Sequence, residues 1–494
     1  MFYIGIDSGT QSTKAVVLDL ESGVLVAQAS QAYDLIQGLP AGHLEQHPSD
    51  WIAAVRATVS DCLEQLGPRR SEVRGIGVSG QQHGLVVLDA DDQVIRPAKL
   101  WCDTSTAAQC DQFAAAFGGK EGLIARSGNA ILPGYTIPKL LWLKQNEPDH
   151  FKRIRSILLP HDYINFFLTG VKRMEFGDAS GMGILNVRTR EWDAGLIDFV
   201  DHSVHEMLPA LGSSNAIHGT LLPALASEWG LPGDVVVSAG GGDNMMGAIG
   251  TGNIANGIIT ASFGTSGTLY GCAGKPIIDP EGEIAAFCDS TDHWLPLACT
   301  MNVTVVTEQV RGWFGWDLAE MERQIVSAPP AAGGVSFLPY LNGERTPNLP
   351  NGSGVIHGLN PATANPAHLM RAAMEGATLG LAYGLRRFDA LGLTPGEIRL
   401  TGGGSNSAAW RQIAADVFGV PVVSLATAEG AGLGGAIQAA RADGRGNYED
   451  LCARLVSLDE STRCHPNADL VPLYRDKLDR QIALTTVLRE SGLL

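Results

Sequence analysis

A short segment near the amino terminus combines a carboxylate with residues that bind phosphate. Asp7 opens the run Asp-Ser-Gly-Thr-Gln-Ser-Thr-Lys, directly after the apolar stretch Phe2 to Ile6. A carboxylate at a strand end can hold magnesium through water, while the backbone amides of a Gly/Thr/Ser turn face phosphate oxygens. Lys14 at the end of the run is spaced to reach an outer phosphate. Taken alone, the run is better explained as a good turn sequence followed by a solvated lysine.

A second turn of similar composition lies far downstream. Gly264, Thr265 and Ser266 separate the apolar segments Gly257 to Phe263 and Leu269 to Cys272. Glycines let backbone approach phosphate, and Thr and Ser hydroxyls add donors. Neither turn is a Walker P-loop, because both lack GxxxxGK[ST]. Two such hairpins, one early in each half, indicate two domains of related architecture, each with a phosphate-binding tip.

A third glycine cluster, Gly402 to Ser407, lies between a predicted strand, Ile398 to Thr401, and a predicted helix, Ala408 to Phe418. A strand, a glycine turn and a helix N-terminus bring the base or phosphates of a nucleotide close to backbone. A tight strand-to-helix connection is the alternative. The two phosphate-type turns favour the nucleotide interpretation.

The residues 430–435 formally match GxGxxG. A polar stretch separates them from the preceding strand, and no second strand with a terminal acid follows, so the pattern does not indicate a dinucleotide site. We interpret these glycines as packing at the start of the predicted helix Ala436 to Arg441.

Asp243 is the second carboxylate of interest. It follows the apolar segment Val235 to Ala239 and three glycines, with Asn244 beside it. Glycines remove side-chain bulk around the carboxylate, which allows a substrate hydroxyl within reach of a base. The alternative is an N-cap for a helix over Met245 to Ile249, and both roles are compatible.

Two polar pairs could contact a sugar or polyol. Gln82 and His83 stand between glycines at the end of another predicted strand, and Trp101 with Asp103 offers a ring wall and an acceptor. A structural histidine, and a packed tryptophan with a capping aspartate, are the alternatives. The histidine has no partner at metal-ligand spacing, so a zinc site is not indicated.

The elements that must position these residues alternate between strands and helices, which is typical of an α/β protein. Periodicity predicts strands at Phe2 to Ile6, Ala15 to Leu18, Val24 to Ala29 and Gly75 to Ser79, and a helix over Trp51 to Leu66 with Ser49 as its N-cap.

Length and composition narrow the class of protein. A chain of 494 residues predicts two domains, which we divide as 1–248 and 249–494. The net charge of −17 argues against nucleic acid as a partner. The eight cysteines are scattered, which favours reduced thiols. Because neither a signal peptide nor a membrane span is recognisable, we expect a soluble cytoplasmic protein without a membrane partner.

Together the motifs resemble the FGGY family of carbohydrate kinases. The matching segments span most of the chain in the family's order: IGIDSGTQSTK, GVSGQQHG, LWCDTST, LLPHDYINFFLTG, DASGMGILNV, GGGDNMMGAIGTG, SFGTSGT, FLPYLNGERTP and LTGGGSNSAAWRQIAADVFG. Two departures concern the sugar: Gln82 stands where many relatives have Met, and Gln11 where many have Ser or Thr.

The resemblance implies two ribonuclease-H-like domains of the actin/hexokinase type, with the active site in the cleft between them. By position it implies Asp243 as catalytic base, Asp7 as the acid near magnesium, and a sugar site that includes Gln82, His83 and Asn244, to which we add Trp101 and Asp103. It assigns ATP to three loops: Thr10, Gln11, Ser12 and Lys14; Gly264, Thr265 and Ser266; and Gly403, Gly404 and Asn406.

The implied reaction is ATP- and Mg²⁺-dependent phosphorylation of a ketopentose, D-xylulose first. Ribulose, arabitol and erythritol are alternative acceptors, and a homodimer is implied as well. A non-catalytic sensor of nucleotide and sugar on the same fold is a different class of function, against which the intact Asp7, Asp243 and phosphate turns argue.

Overall fold

The computed structural model describes residues 1–427 and 429–494. The first half contains strands β1 (Phe2–Ser8), β2 (Ser12–Asp19), β3 (Val24–Ala32), β4 (Glu45–Gln46), β5 (Val73–Gly80), β6 (Val86–Leu88), β7 (Ala98–Lys99), β8 (Ser156–Leu158), β9 (Arg173–Glu175), β10 (Leu185–Asn186), β11 (Glu191–Trp192), β12 (Ala210–Gly212), β13 (Ile217–Thr220), β14 (Val236–Ser238) and β15 (Gly241–Gly242). Its helices are α1 (Pro48–Leu66), α2 (Ala107–Ala116), α3 (Gly119–Ser127), α4 (Thr136–Asn146), α5 (Pro148–Arg153), α6 (Pro160–Thr169), α7 (Phe176–Ala179), α8 (Ala194–Val200), α9 (Val204–Met207), α10 (Pro223–Trp229) and α11 (Asp243–Gly250).

The second half contains strands β16 (Ile258–Phe263), β17 (Gly267–Gly271), β18 (Ala285–Cys288), β19 (Trp294–Thr300), β20 (Ser336–Pro339), β21 (Gly354–His357), β22 (Glu397–Thr401), β23 (Val422–Leu425) and β24 (Leu458–Cys464). Its helices are α12 (Thr304–Trp313), α13 (Leu318–Ser327), α14 (Pro366–Ala390), α15 (Ala408–Phe418), α16 (Gly430–Ala442), α17 (Tyr448–Leu455) and α18 (Val471–Glu490).

Each half is built on one large mixed sheet with the same central arrangement. In the first sheet, of order β13-β14-β5-β1-β2-β3, β1 pairs antiparallel with β2 and parallel with β5. In the second, of order β18-β19-β17-β16-β22-β23-β24, β16 pairs antiparallel with β17 and parallel with β22. A hairpin beside a parallel strand therefore recurs, as the paired turn motifs predict.

The register of the first sheet gathers polar residues at one end. Asp7 on β1 lies opposite Lys14 on β2 and beside Ser79 on β5. Ser79 in turn lies beside Gly241 on β15, which leads directly to Asp243. Because the parallel strands end together, their carboxyl ends form the edge at which ligands bind in α/β sheets.

The glycines of 430–435 allow close packing, as predicted. They lie inside α16, which packs against β1, β5 and α11. A Cβ atom added at Gly434 would lie 1.9 Å from the carbonyl oxygen of Met246, and one added at Gly435 would lie 2.8 Å from that of Gly77. No side chain fits at such a distance. This helix from the second half thus joins the core around Tyr3 and Leu18, while the division at residue 248 stays a prediction.

The local predictions need one correction and several extensions. Helix α1 begins at Pro48 with His47 at its N-cap, so the assignment of Ser49 as the cap was wrong. Proline at the first helical position explains the earlier start, since its fixed φ suits a helix. Strands β1 and β2 extend to Ser8 and back to Ser12, which shortens the polar turn to residues 9–11. Within residues 1–427 and 429–494, no helix is long and apolar enough to cross a membrane.

Candidate active site

Asp7 lies half-buried in a polar cluster at the end of β1. Its Oδ1 accepts a hydrogen bond of 2.9 Å from Ser79 Oγ. Burial raises the pKa of the Asp7 carboxyl, the Ser79 hydrogen bond opposes that rise, and the charge of Glu429 adds to it. Lys14 Nζ lies 3.1 Å from Glu429 Oε1, so the lysine predicted to reach a phosphate pairs with a carboxylate at the start of α16.

The turn at residues 9–11 is stabilised by hydrogen bonds to a tyrosine. Tyr33 Oη donates to the carbonyl oxygen of Gly9 at 2.6 Å and lies 3.2 Å from both Ser8 Oγ and Thr13 Oγ1. Gln11 is exposed at the tip, and Ser12 accepts from Gly9 N through its carbonyl oxygen at 3.0 Å. The turn is thus fixed by contacts on its inner side.

Asp243 stands at the first position of α11. Its Oδ1 accepts from the Asn244 backbone N at 2.7 Å and from Asn244 Nδ2 at 2.8 Å, and Asn244 Nδ2 also donates to Gln82 Oε1 at 2.8 Å. Burial, reinforced by the negative charge of Asp7, raises the pKa of the Asp243 carboxyl to about 7. A carboxylate with this pKa is suited to accept a proton near neutral pH.

The glycines before Asp243 make room for the protein's own side chains. A Cβ atom at Gly242 would lie 2.6 Å from Gln82 Cγ, and one at Gly241 would lie 2.2 Å from Ser290 Oγ. The expectation that they clear space for a substrate hydroxyl therefore needs this correction. Their small size instead allows Gln82 to pack directly beside the start of α11.

His83 has an unusual backbone conformation and a half-buried, neutral ring. Its φ is 62°, in a region that residues other than glycine rarely adopt. Its imidazole packs against Tyr135 and Phe287. Burial, together with the charges of Lys139 and Arg345, holds the pKa of His83 well below its usual value. Within the described part of the chain, His83 Nδ1 and Gln82 Nε2 are buried without a hydrogen-bond partner.

Lys139, which the sequence analysis missed, holds His83 in this conformation. The side chain is completely buried, and Nζ donates to the carbonyl oxygens of His83 at 2.6 Å and Gly134 at 2.7 Å. Thr136 Oγ1 donates to the same His83 oxygen at 3.1 Å. Burial lowers the pKa of Lys139 to about 7. In residues 1–427 and 429–494, no carboxylate oxygen lies within salt-bridge distance of Nζ.

Trp101 and Asp103 have different surroundings. Trp101 Nε1 donates to Thr10 Oγ1 at 3.0 Å, which connects it to the first turn. Asp103 is completely buried and accepts from Leu44 N, Ser105 N and Lys99 Nζ, the last at 3.1 Å. Its carboxylate is therefore committed to the protein, and the predicted role as a free acceptor for sugar is corrected to an internal ion pair.

The second turn and the third glycine cluster lie side by side. Gly402 has a φ of 82°, and a Cβ atom there would lie 2.7 Å from the carbonyl oxygen of Phe263 and 2.9 Å from Gly264 N. Helix α15 spans the predicted residues and is capped by Ser407. The exposed Thr265, Gly403 and Asn406 are thus on two adjoining loops, while Gly404 is buried and Ser266 half-buried.

A buried acid–histidine pair influences the charge state of Asp243. His161 Nδ1 and Asp178 Oδ2 are 2.9 Å apart and completely buried, and the charge of Asp178 contributes to the raised pKa of Asp243. Both residues fall within quoted motifs of the family resemblance, but no spacing in the sequence indicated that they meet.

These elements match a known family. The chain belongs to the FGGY family of carbohydrate kinases: the family's N-terminal domain matches residues 2–250 and its C-terminal domain matches residues 259–442. It is therefore an enzyme that phosphorylates a carbohydrate with ATP, and its fold is the two-domain α/β fold of that family.

Individual relatives cover nearly the whole chain. A protein named xylulose kinase from Haemophilus influenzae is 44% identical over 97% of this chain and 98% of its own length. A crystal structure described as a xyloylose kinase from Brucella ovis has a TM-score of 0.93 and 31% identity, and covers 99% of this chain and 100% of that one. A gluconate kinase structure from Lactobacillus acidophilus has a TM-score of 0.92 at 26% identity, covering 99% and 98%.

We expect Lys139→Met to weaken sugar use selectively. The change leaves the carbonyl oxygen of Gly134 without a donor and removes one of the two donors to the carbonyl oxygen of His83. Leaving a buried acceptor unsatisfied costs about 1–3 kcal/mol, which corresponds to a roughly 5- to 150-fold loss of sugar affinity if the whole cost falls on sugar binding. The KM for the sugar should rise within this range while the KM for ATP changes less than about twofold, as measured by steady-state kinetics.

Lys144→Met is the matched control, because Lys144 lies on the same helix and pairs at the surface with Asp201. An equal rise in both KM values for Lys139→Met, in a protein that unfolds at the wild-type temperature, would contradict a role in positioning His83.

Proposed function

We propose that this kinase transfers the γ-phosphoryl group of ATP to a ketopentose, with D-xylulose as the preferred acceptor and Asp243 as the general base. The observation that carries the proposal is the half-buried Asp243 side chain, whose carboxyl has a pKa raised to about 7. It lies close to Gln82, which contacts Asn244 and has a buried donor without a partner in the described residues. A sugar supplies the hydroxyls that such groups lack. The name of the Haemophilus influenzae relative supports D-xylulose as the acceptor.

In the proposed mechanism, Asp243 accepts the proton of the terminal sugar hydroxyl as its oxygen attacks the γ-phosphorus in line, and ADP leaves. Gln82, Asn244 and the neutral His83 orient the sugar. Backbone amides of the turns at 9–11 and 264–266 stabilise charge on the phosphates, and the loops at 402–406 hold adenosine. Closure of the two halves over both substrates excludes water and so limits hydrolysis of ATP.

The proposal includes Mg²⁺ held near Asp7 through water. The donor set fits this ion, since carboxylate oxygens are its preferred protein ligands. The electrostatics fit as well, because the negative charge of the half-buried Asp7 helps to raise the pKa of Asp243. When bound, the ion neutralises charge on the phosphates.

We expect the pH profile of kcat/KM for the sugar to have an acidic limb at or below about 7. Protonated Asp243 cannot accept the hydroxyl proton, so the rate falls as pH falls through its pKa, tenfold per pH unit. A cation near Asp7 offsets the repulsion that raises this pKa, and moves the limb to lower pH. A profile that stays flat from about pH 8 down to about pH 4, the ordinary pKa of an aspartate, would contradict the base assignment.

The substrate is tested with a panel of acceptors and coupled detection of ADP. D-xylulose should give the highest kcat/KM, ahead of D-ribulose, arabitol, erythritol and gluconate. Gluconate is included because one structural neighbour is named for it. A higher kcat/KM with any other acceptor would overturn D-xylulose and leave sugar kinase activity intact. ATP binding without ADP formation for any acceptor would instead support a non-catalytic sensor.

The proposal also includes a cytoplasmic location, as the sequence analysis expects, and a homodimer, which the family resemblance implies. The oligomeric state is tested by light scattering coupled to size-exclusion chromatography, in which a single-chain mass would exclude the dimer.

A further inference from the structure

A closed ring of hydrogen bonds connects Trp101 to the first phosphate turn. Trp101 Nε1 donates to Thr10 Oγ1 at 3.0 Å, and Thr10 Oγ1 lies 3.3 Å from Gln81 Oε1. Gln81 Nε2 donates to Gln46 Oε1 at 3.0 Å, and Gln46 Nε2 returns to the carbonyl oxygen of Thr10 at 2.7 Å. Gln46 and Gln81 are each 1% exposed, so water does not compete for these bonds.

The direction of every bond in the ring is fixed by two indole groups, which can only donate. Trp51 Nε1 donates to Gln46 Oε1 at 3.0 Å, so this oxygen is an acceptor and Gln46 Nε2 a donor. Gln81 must then give its amide hydrogen to Gln46 and accept with Oε1. The amide orientations therefore follow from the network.

The Thr10 hydroxyl consequently has no hydrogen left for a phosphate. It donates its one hydrogen to Gln81 and accepts from Trp101, so its donor capacity is used inside the protein. The expected contact of Thr10 with ATP is thereby limited to its backbone. The hydroxyl instead joins the turn at 9–11 to the indole of Trp101.

We propose that Thr10 couples the sugar subsite to the nucleotide subsite: a sugar bound against Trp101 stabilises the Thr10–Gln81–Gln46 ring and with it the turn that receives the phosphates of ATP. This inference rests on the proposed function, which assigns Trp101 to the sugar and the turn to ATP. Fixing one member of a polar network restricts the others, so each substrate binds more tightly when the other is present. Water in the sugar site would not supply this gain, which favours phosphorylation over hydrolysis.

The experiment measures the dissociation constant of a non-hydrolysable ATP analogue with Mg²⁺, with and without saturating D-xylulose, by titration calorimetry. In the wild-type protein the sugar should tighten binding by about 5-fold or more, a typical coupling. Thr10→Val keeps the shape but loses both hydroxyl bonds, and should reduce the ratio to about 1–2 while raising the ratio of ATP hydrolysis to sugar phosphorylation. Thr10→Ser keeps the hydroxyl and should retain the wild-type ratio.

Gln46→Leu tests the ring at a residue with no proposed contact to either substrate, and should reduce the ratio as Thr10→Val does. Gln37→Leu is its control, since Gln37 is exposed and, among the described residues, its side chain bonds only to the carbonyl oxygen of Leu35. A folded Thr10→Val protein with the wild-type ratio, or a wild-type ratio of one, would overturn the coupling. Failure of the proposed function would appear differently, as an absence of turnover with D-xylulose. The calorimetry would then be repeated with the best acceptor of the panel in place of D-xylulose.

Discussion

Replacing Asp243 with asparagine is expected to lower kcat for sugar phosphorylation by about 10²- to 10⁴-fold, the usual contribution of a general base. The amide cannot accept the hydroxyl proton, yet its oxygen can still accept from the backbone N of Asn244, as Asp243 Oδ1 does at 2.7 Å. The start of α11 should therefore remain intact. Calorimetry should find the affinity for Mg²⁺ and an ATP analogue within about twofold of wild type, or tighter because one buried negative charge is removed.

Asp234→Asn is the matched control, because this aspartate precedes the same strand but lies at the surface, paired with Arg74. Its activity should equal that of the wild-type enzyme. Near-normal turnover in Asp243→Asn would show that another group accepts the proton, and the buried Asp178 would be the next candidate because its charge acts on Asp243.

The parts of the site that the sequence predicts are those encoded by short segments. Strand β1, its turn and β2 follow from apolar residues that stop at Asp7, and the same pattern recurs around Gly264. Helix α15 was predicted to the residue because Gly402 and Ser407 are strong signals for a helix start. Local propensity and local hydrogen bonding suffice in these cases.

The contacts that fix side-chain roles join distant segments and left no signal in the sequence. Lys14 meets Glu429, and Asp103 accepts a hydrogen bond from the backbone N of Leu44. Whether a carboxylate is free for a ligand depends on such partners, so composition and spacing could not separate Asp103 from Asp243.

Lys139 shows the same limit from the opposite direction. A lysine within the helical sequence Thr136 to Asn146 is normally expected to extend its charge to water. Its burial becomes intelligible only when the carbonyl oxygens of His83 and Gly134 are placed beside it. The positive φ of His83 is equally hidden, because a histidine between glycines gives no reason to expect strain.

The second large effect is expected for Asp7→Asn, which should lower kcat by about 10²- to 10³-fold, as removal of one preorganised electrostatic group commonly does. In the wild-type protein Ser79 Oγ donates to Asp7 Oδ1 at 2.9 Å, and the amide oxygen of the asparagine can still accept this hydrogen bond. It removes the negative charge that would hold Mg²⁺, so the metal concentration for half-maximal rate should rise. Steady-state rates over a range of free Mg²⁺ measure both effects.

With Mg²⁺ saturating in both proteins, the same substitution should move the acidic limb of the pH profile to lower pH. The charge of Asp7 raises the pKa of Asp243, so its loss lowers that pKa and leaves the base ionised in more acidic solution. A merely structural role for Asp7 would reduce kcat without moving the limb. Asp19→Asn, at the opposite end of the same hairpin, is the control and should change neither the metal dependence nor the limb. An unchanged limb in Asp7→Asn, with kcat reduced, would show that the two carboxylates do not interact in the working enzyme.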